Sequence, residues 1–189
     1  DPIHNGHLHL ARTALTQFDL DQIWFMPNGM PPHKKQSSIE SDIHERIAMT
    51  RIAIKANKQF YLQEYEAKRE KVSYSYKTME HFRKIYPDDE FYFIIGADSL
   101  FSIETWKHPE RLFKACIILA ACRDEAATKE SLNGQIQMLK GKYGAYIKFL
   151  AMPLEHVSSH EIRKLIESGE PVSEYIPAEV EAYIRKEGL

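Results

Sequence analysis

Two histidines three positions apart, His4 and His7, flank Asn5-Gly6 in the run Asp1-Pro2-Ile3-His4-Asn5-Gly6-His7. A glycine at such a place lets a backbone come close to a ligand, and the amides and positive dipole end of a helix favour an anion. Imidazole groups would complete a cradle for phosphate. The same residues also read as a polar helix cap, or as two of three metal ligands together with His9. Far along the chain, Val157-Ser158-Ser159-His160-Glu161-Ile162-Arg163 has the serine-to-glutamate spacing of a capping box. Helix-start amides and the Ser159 hydroxyl suit phosphate oxygens, and Arg163, one turn later, adds a planar fork of donors. Ordinary capping beside a solvent-facing arginine explains this second motif when it is taken alone. Two helix N-termini with phosphate-compatible side chains, separated by almost the whole chain, fit a bipartite triphosphate site better than two unrelated caps.

The elements that must hold these residues follow from periodicity. Leu8, Ala11, Ala14, Leu15 and Phe18 recur at helical spacing, so a helix opens directly after the first motif. Gln22 to Met26 is a short β-prone run, ended by the loop residues Pro27-Asn28-Gly29. Ser41 and Asp42 cap a second helix with Ile43, Ile47 and Ile54 on its buried face. Phe60-Tyr61-Leu62 begins a strand, Ser73 starts a third helix running to Tyr86, and Glu90 to Ile95 is the clearest strand, broken at Gly96-Ala97-Asp98. A buried strand from Cys116 to Ala121, a helix from Lys129 to Tyr143 and a strand from Tyr146 to Leu150 follow. Pro177, at a first helical position, and Gly188 bracket a final helix. This alternation predicts an α/β fold, a Rossmann-like three-layer sandwich with a mainly parallel sheet, whose ligands lie beyond the carboxyl ends of the strands. Asp1 already sits in a loop, so a first strand is expected to be missing from the numbering.

Composition narrows the class. A chain of 189 residues, with 43% hydrophobic and 28% charged residues, is expected to form one domain over 1–189 with a real core. The formal net charge of -2 gives no overall basic field of the kind that marks nucleic-acid or membrane-surface binders. Phosphate binding therefore falls to local basic groups. Cys116 and Cys122 have neither metal-ligand spacing nor a disulfide framework, which is the pattern of reduced thiols in a cytoplasmic protein. No apolar stretch approaches the length of a membrane span.

Asp-Pro-x-His-x-Gly-His, Pro-Pro-His-Lys, Ser-Tyr-Ser, Ile-Gly-Ala-Asp, a following tryptophan and Ser-Ser-x-x-Ile-Arg stand in that order from Asp1 onward. In this series the chain resembles the bacterial nicotinate-nucleotide adenylyltransferases over its whole length. The first motif alone indicates only the wider nucleotidyltransferase superfamily. What the resemblance implies is adenylyl transfer from ATP to nicotinic acid mononucleotide, yielding deamido-NAD and pyrophosphate in NAD biosynthesis. His4 and His7 then contact the reacting phosphates, and Ser159 and Arg163 hold the β and γ phosphates. Lys34 and Arg46 are further phosphate candidates by their place in and after the Pro-Pro-His-Lys loop, although exposed lysines are usually solvated charge. Mg2+ is expected on the triphosphate, held by phosphate and water, with no protein ligand assigned.

For the acceptor, the resemblance places the nicotinate carboxylate against Ser75 and Tyr76, the pyridine ring on Trp106 and a ribose on Asp98. Serines at 73 and 75 also make good helix starts, a tryptophan is more often packing, and an aspartate at a strand end often forms a turn. Two departures stand out. The family's Gly-Gly-x-Phe before Asp1 is not in this sequence, and His160 stands where small hydroxyl residues are frequent. Competing readings are an adenylyltransferase for nicotinamide mononucleotide or phosphopantetheine, a nucleotide sensor without turnover, and a metal-dependent hydrolase, which the scatter of the nine histidines disfavours. A homo-oligomer is compatible with the sequence and is not specified by it.

Overall fold

A computed structural model describes residues 1–29, 41–69, 71–123, 126–152 and 158–189. Contacts divide the chain into two compact units, one of Asp1–Ser73 with Glu155–Leu189, the other of Tyr74–Leu154.

In the first unit, α1 (Asn5–Phe18) is followed by β1 (Ile23–Phe25), α2 (Ile43–Ile54) and β2 (Phe60–Leu62), and the late helices α7 (Ser159–Glu167) and α8 (Ala178–Glu187) belong to it as well. Strands β1 and β2 pair in parallel, with Ile23 opposite Phe60 and Phe25 opposite Leu62. Asp42 caps α2 by accepting from the amides of His44 and Glu45, while the Glu45 carboxylate accepts from the Asp42 amide. This satisfies donors that a helix start otherwise leaves open. The core of the unit joins Met49 of α2, Ile162 of α7, Val172, Ile176, and Val180 and Ile184 of α8. Apolar side chains from the two ends of the sequence thus share one interior, which brings α7 to the beginning of the chain.

The second unit holds α3 (Ser75–Ile85), β3 (Tyr92–Gly96), α4 (Ala97–Ser102), a 3-10 turn (Ile103–Thr105), α5 (Pro109–Ala115), β4 (Ile117–Arg123), α6 (Ala126–Tyr143) and β5 (Ile147–Met152). Its sheet runs β3-β4-β5, all parallel, with Ile94 opposite Leu119 and Leu119 opposite Lys148. As the central strand, β4 reads as a continuous apolar run, which is what burial on both faces demands. Ile118, Leu119 and Ala120 have no exposed surface. Every strand pair among the described residues is parallel, as the alternation of elements predicts.

Most strand ends shift by one or two residues from the sequence expectation, and three further differences concern caps and packing. α3 begins at Ser75 with Tyr74 as its cap. Pro177 takes the N-cap position of α8, with ψ at 141°. The stretch after Gly96, where the sequence offers no element before the strand at Cys116, holds α4, the 3-10 turn and α5. Each of these pieces is too short to form on helix propensity alone. Burial of Leu100, Ile103, Leu112 and Phe113 holds them, an effect of packing that local periodicity does not register. Both cysteines are free and buried, and burial pushes the Cys116 thiol up to about 12, which keeps it protonated and inert. Among the described residues, no helix is long and apolar enough to cross a membrane.

Ile118→Ala opens a cavity in the middle of the central strand and is expected to lower unfolding free energy by about 2–5 kcal/mol, read by urea denaturation.

Candidate active site

His4 caps α1 with an extended backbone, φ -137° and ψ 171°. Its backbone N–H donates to Nδ1 of His7 at 3.3 Å. That bond needs the lone pair on Nδ1, so the ring proton sits on Nε2, where it forms an outward N–H donor. The two rings lie 3.8 Å apart between centroids. His4 is buried and His7 is exposed. Loss of hydration along the packed inner edge of His7, then the neighbouring His4, lower this imidazole from 6.5 toward about 3. The ring is therefore neutral at neutral pH and donates through Nε2.

The cap of α7 is the one its serine-to-glutamate spacing predicts. Ser158 Oγ accepts from the Glu161 amide at 3.2 Å, and the Ser158 amide donates to the Glu161 carboxylate at 2.7 Å. The Ser158 hydroxyl and amide hold the Glu161 carboxyl below its ordinary range. Capping therefore occupies Ser158 and leaves the next serine to a different task. Ser159 Oγ donates to the carbonyl of Pro2 at 3.0 Å, and Arg163 donates from an Nη to the carbonyl of Asp1 at 2.6 Å. These bonds join residues 157 and 162 positions apart in the chain. The start of α1 is also tied down, since the Asn5 amide donates to the Tyr175 carbonyl at 2.7 Å.

Asp1 sits at the centre of this arrangement. Its side chain is 7% exposed and has Arg163 at 3.7 Å and Arg46 at 3.9 Å. Arg46 also donates to the carbonyl of Asn28 at 2.7 Å, which links α2 to the loop after β1. The neighbouring Gly29 cannot carry a side chain: a Cβ there would lie 2.2 Å from the Glu66 carbonyl oxygen. His4, His7, Arg46, Ser159 and Arg163 are thus all placed on or beside the Asp1–His7 segment, in one compact unit. Asp1 is the member that sequence reasoning did not single out; the signal was an acidic residue inside a motif otherwise suited to anions. Lys34 lies outside the described residues. Among the described residues no group of three or more His, Cys, Asp and Glu gathers as metal ligands.

The remaining candidates lie in the second unit. Ser75 is the first residue of α3 and is half-buried. Tyr76 beside it is 4% exposed and belongs to the core, so it contributes to any pocket as wall. Ser73, the last residue of the first unit before α3, has a buried hydroxyl without a hydrogen-bond partner among the described residues. Trp106 closes the 3-10 turn through its amide to the Ile103 carbonyl at 3.0 Å and meets Phe93 edge-on, with centroids 6.4 Å apart. Asp98 is exposed in the first turn of α4, where an acidic side chain also complements the helix dipole.

Residues 1–165 match the family model described as cytidylyltransferase-like. A protein of Clostridium tetani named as a probable nicotinate-nucleotide adenylyltransferase is 40% identical over 189 residues, covering 100% of this chain and 94% of its own length. One of the same name from Carboxydothermus hydrogenoformans is 42% identical over 184 residues, covering 97% of this chain and 90% of its own length. The chain belongs to the nicotinate-nucleotide adenylyltransferase family. Its fold agrees with the solved structure of the Plasmodium falciparum nicotinic acid mononucleotide adenylyltransferase complexed with NaAD, at a TM-score of 0.77 over 100% of this chain and 91% of the other, with 19% identity. The parallel α/β arrangement is thus the Rossmann-like fold that the alternation of strands and helices predicts.

A lowered imidazole means that the fold prefers the neutral His7 ring. Its stabilising contribution is therefore full above 6.5 and is lost as pH falls from there toward about 3. Nitrogen NMR of the His7 ring is expected to show the Nε2–H tautomer, with no protonation step near the ordinary imidazole value.

Proposed function

We propose that this family member transfers the adenylyl group of ATP to nicotinic acid mononucleotide, releasing pyrophosphate and forming deamido-NAD. The observation that carries the reading is the convergence of two helix starts, α1 with His4 and His7 and α7 with Ser159 and Arg163, on the Asp1–Pro2 segment. The names of the bacterial relatives and the NaAD with which the Plasmodium enzyme is complexed agree with it. One continuous family match over 1–165 supports treating the chain as a single nucleotidyltransferase domain. A cytoplasmic setting is in keeping with two cysteines that are both free.

The chemistry asks for no protein nucleophile. An oxygen of the acceptor's phosphate forms a bond to the α-phosphorus of ATP, the bond from that phosphorus to the bridging oxygen breaks, and pyrophosphate leaves with the electron pair. The protein's part is alignment and stabilisation of charge on the transferring group. In this reading His7 offers Nε2–H to a phosphoryl oxygen, in an orientation already set by the His4 amide. His4 lines the same place, while Arg163, Ser159 and Arg46 hold the departing phosphates, and Lys34 joins them from its loop. Imidazole and guanidinium donors suit phosphate oxygens and not a hard cation, so Mg2+ would ride on the triphosphate, held by phosphate and water. When bound it supplies neutralisation of the polyphosphate charge. Ser75 and the first amides of α3 suit a carboxylate, Trp106 a flat heteroaromatic ring, and Asp98 ribose hydroxyls.

Pyrophosphate release from ATP and magnesium is expected with nicotinic acid mononucleotide and much less with nicotinamide mononucleotide at matched concentration. Preference for the amide would move the acceptor, and silence with both while ATP still binds would favour the sensor reading. His7→Ala is expected to lower kcat by roughly a hundredfold or more, with the far-ultraviolet circular dichroism unchanged. Undiminished turnover would remove His7 from the mechanism.

A further inference from the structure

Beside the residues read as acceptor contacts, the second unit carries an arginine that adenylyl transfer itself does not call on. Arg111, on α5, donates from Nε to one oxygen of Glu80 at 2.7 Å and from an Nη to the other at 2.5 Å. Its guanidinium carbon also lies 4.5 Å from the centre of the Tyr76 ring. Tyr76 and Glu80 are four positions apart on α3, so they share a face one turn apart, and Arg111 grips both. The edge of His108 meets the same Tyr76 ring at 5.1 Å. His108 stands two residues after Trp106 and holds a left-handed backbone, φ 53° and ψ 58°, as the cap of α5. A non-glycine residue keeps that conformation only where its surroundings over-determine it.

Charge attraction alone does not explain the arrangement. The side chains of Arg111 and Glu80 are 46% and 37% exposed, where an ion pair is screened and worth little. What the fork and the ring supply is geometry: bonds to both oxygens of Glu80 fix the guanidinium in angle, and its central carbon lies over the buried Tyr76 ring. We propose that Arg111 is a positioning residue for acceptor recognition. By gripping Tyr76 and Glu80 from α5, it fixes the first turn of α3, which bears Ser75, in register with the Trp106–His108 segment that leads into α5. This rests on the reading that Ser75 and Trp106 receive the pyridine acceptor. Arg111 touches no reacting atom in this scheme; its effect passes through Tyr76 and His108.

The test is steady-state kinetics of Arg111→Met, Arg111→Lys and Glu80→Gln, with Trp106→Ala in the same series. Methionine keeps much of the aliphatic cover but loses fork and charge, so the KM for nicotinic acid mononucleotide is expected to rise about tenfold while the KM for ATP and kcat at saturating acceptor stay within about twofold. Lysine keeps the charge without the plane and is expected to recover only part of the loss; full recovery would overturn the geometric role. Glu80→Gln, which preserves shape, is expected to raise the acceptor KM in the same direction by less, and it serves if Arg111→Met fails to fold. An unchanged acceptor KM in both, or an equal rise in the KM for ATP, overturns the proposal. Trp106→Ala is expected to raise the acceptor KM about tenfold or more by loss of stacking. If it does so while the Arg111 and Glu80 variants do not, only the positioning role is lost; if it too leaves that KM unmoved, the acceptor pocket is misplaced and the proposal falls with it.

Discussion

The start of the chain and the helices packed on it are organised by one buried carboxylate, that of Asp1. Removing an aspartate from water costs several kcal/mol unless partners offset it, and Asp1 has Arg46 and Arg163 on hand to do so. The relation works in both directions, because the carboxylate in turn tells each guanidinium where to lie. Arg163 is fixed further by the Asp1 carbonyl and Arg46 by the Asn28 carbonyl. In the proposed reading, a phosphate entering this place would compete with Asp1 for cations that the carboxylate has already oriented. Preorganisation of this kind avoids reorienting donors at the moment of reaction.

A different logic governs the second unit. There the sheet β3-β4-β5 and the fully buried Leu100, Ile103 and Leu112 supply a rigid base. On it, α4, the 3-10 turn and α5 form a chain of short elements that no single one could sustain alone. The turn is anchored through Glu104, whose carboxylate accepts from Lys142 at 2.7 Å and from the Tyr143 hydroxyl at 2.9 Å, both on α6. Trp106 therefore follows directly on a segment fastened to a long helix, and His108 and Arg111 fasten the other side.

Much of this was legible in the residues, and the reason differs from element to element. Phe60-Tyr61-Leu62 and the run ending at Ile95 announce strands because aromatic and β-branched residues suit a pleated, partly buried surface. Ser158 and Glu161 announce a helix start because capping is a local bargain between neighbours in sequence. His4 and His7 are visible for the same reason, and their reading as a polar cap is realised at the start of α1. What sequence does not reveal is anything settled by distant partners. The pairing of Arg111 with Glu80 joins positions 31 apart without any periodic trace. The burial of Tyr76, written beside Ser75 as though both faced a ligand, depends on the helix face that α5 happens to cover. The role of Asp1 depends on two arginines, one of them at the far end of the chain.

That last separation bears on how the protein comes into being. Ser159 and Arg163 close onto Pro2 and Asp1 from 157 and 162 positions away, so the N-terminal histidine motif leaves the ribosome long before the groups that complete its surroundings. At ordinary rates of translation the interval is on the order of ten seconds. Throughout it the nascent chain carries Asp1 without Arg163 and an α1 start without its tie to Tyr175. The closed arrangement around Asp1 and Pro2 therefore forms only once α7 has been made, and synthesis that stops short of α7 leaves a polypeptide with the histidine motif but without the ties that hold it.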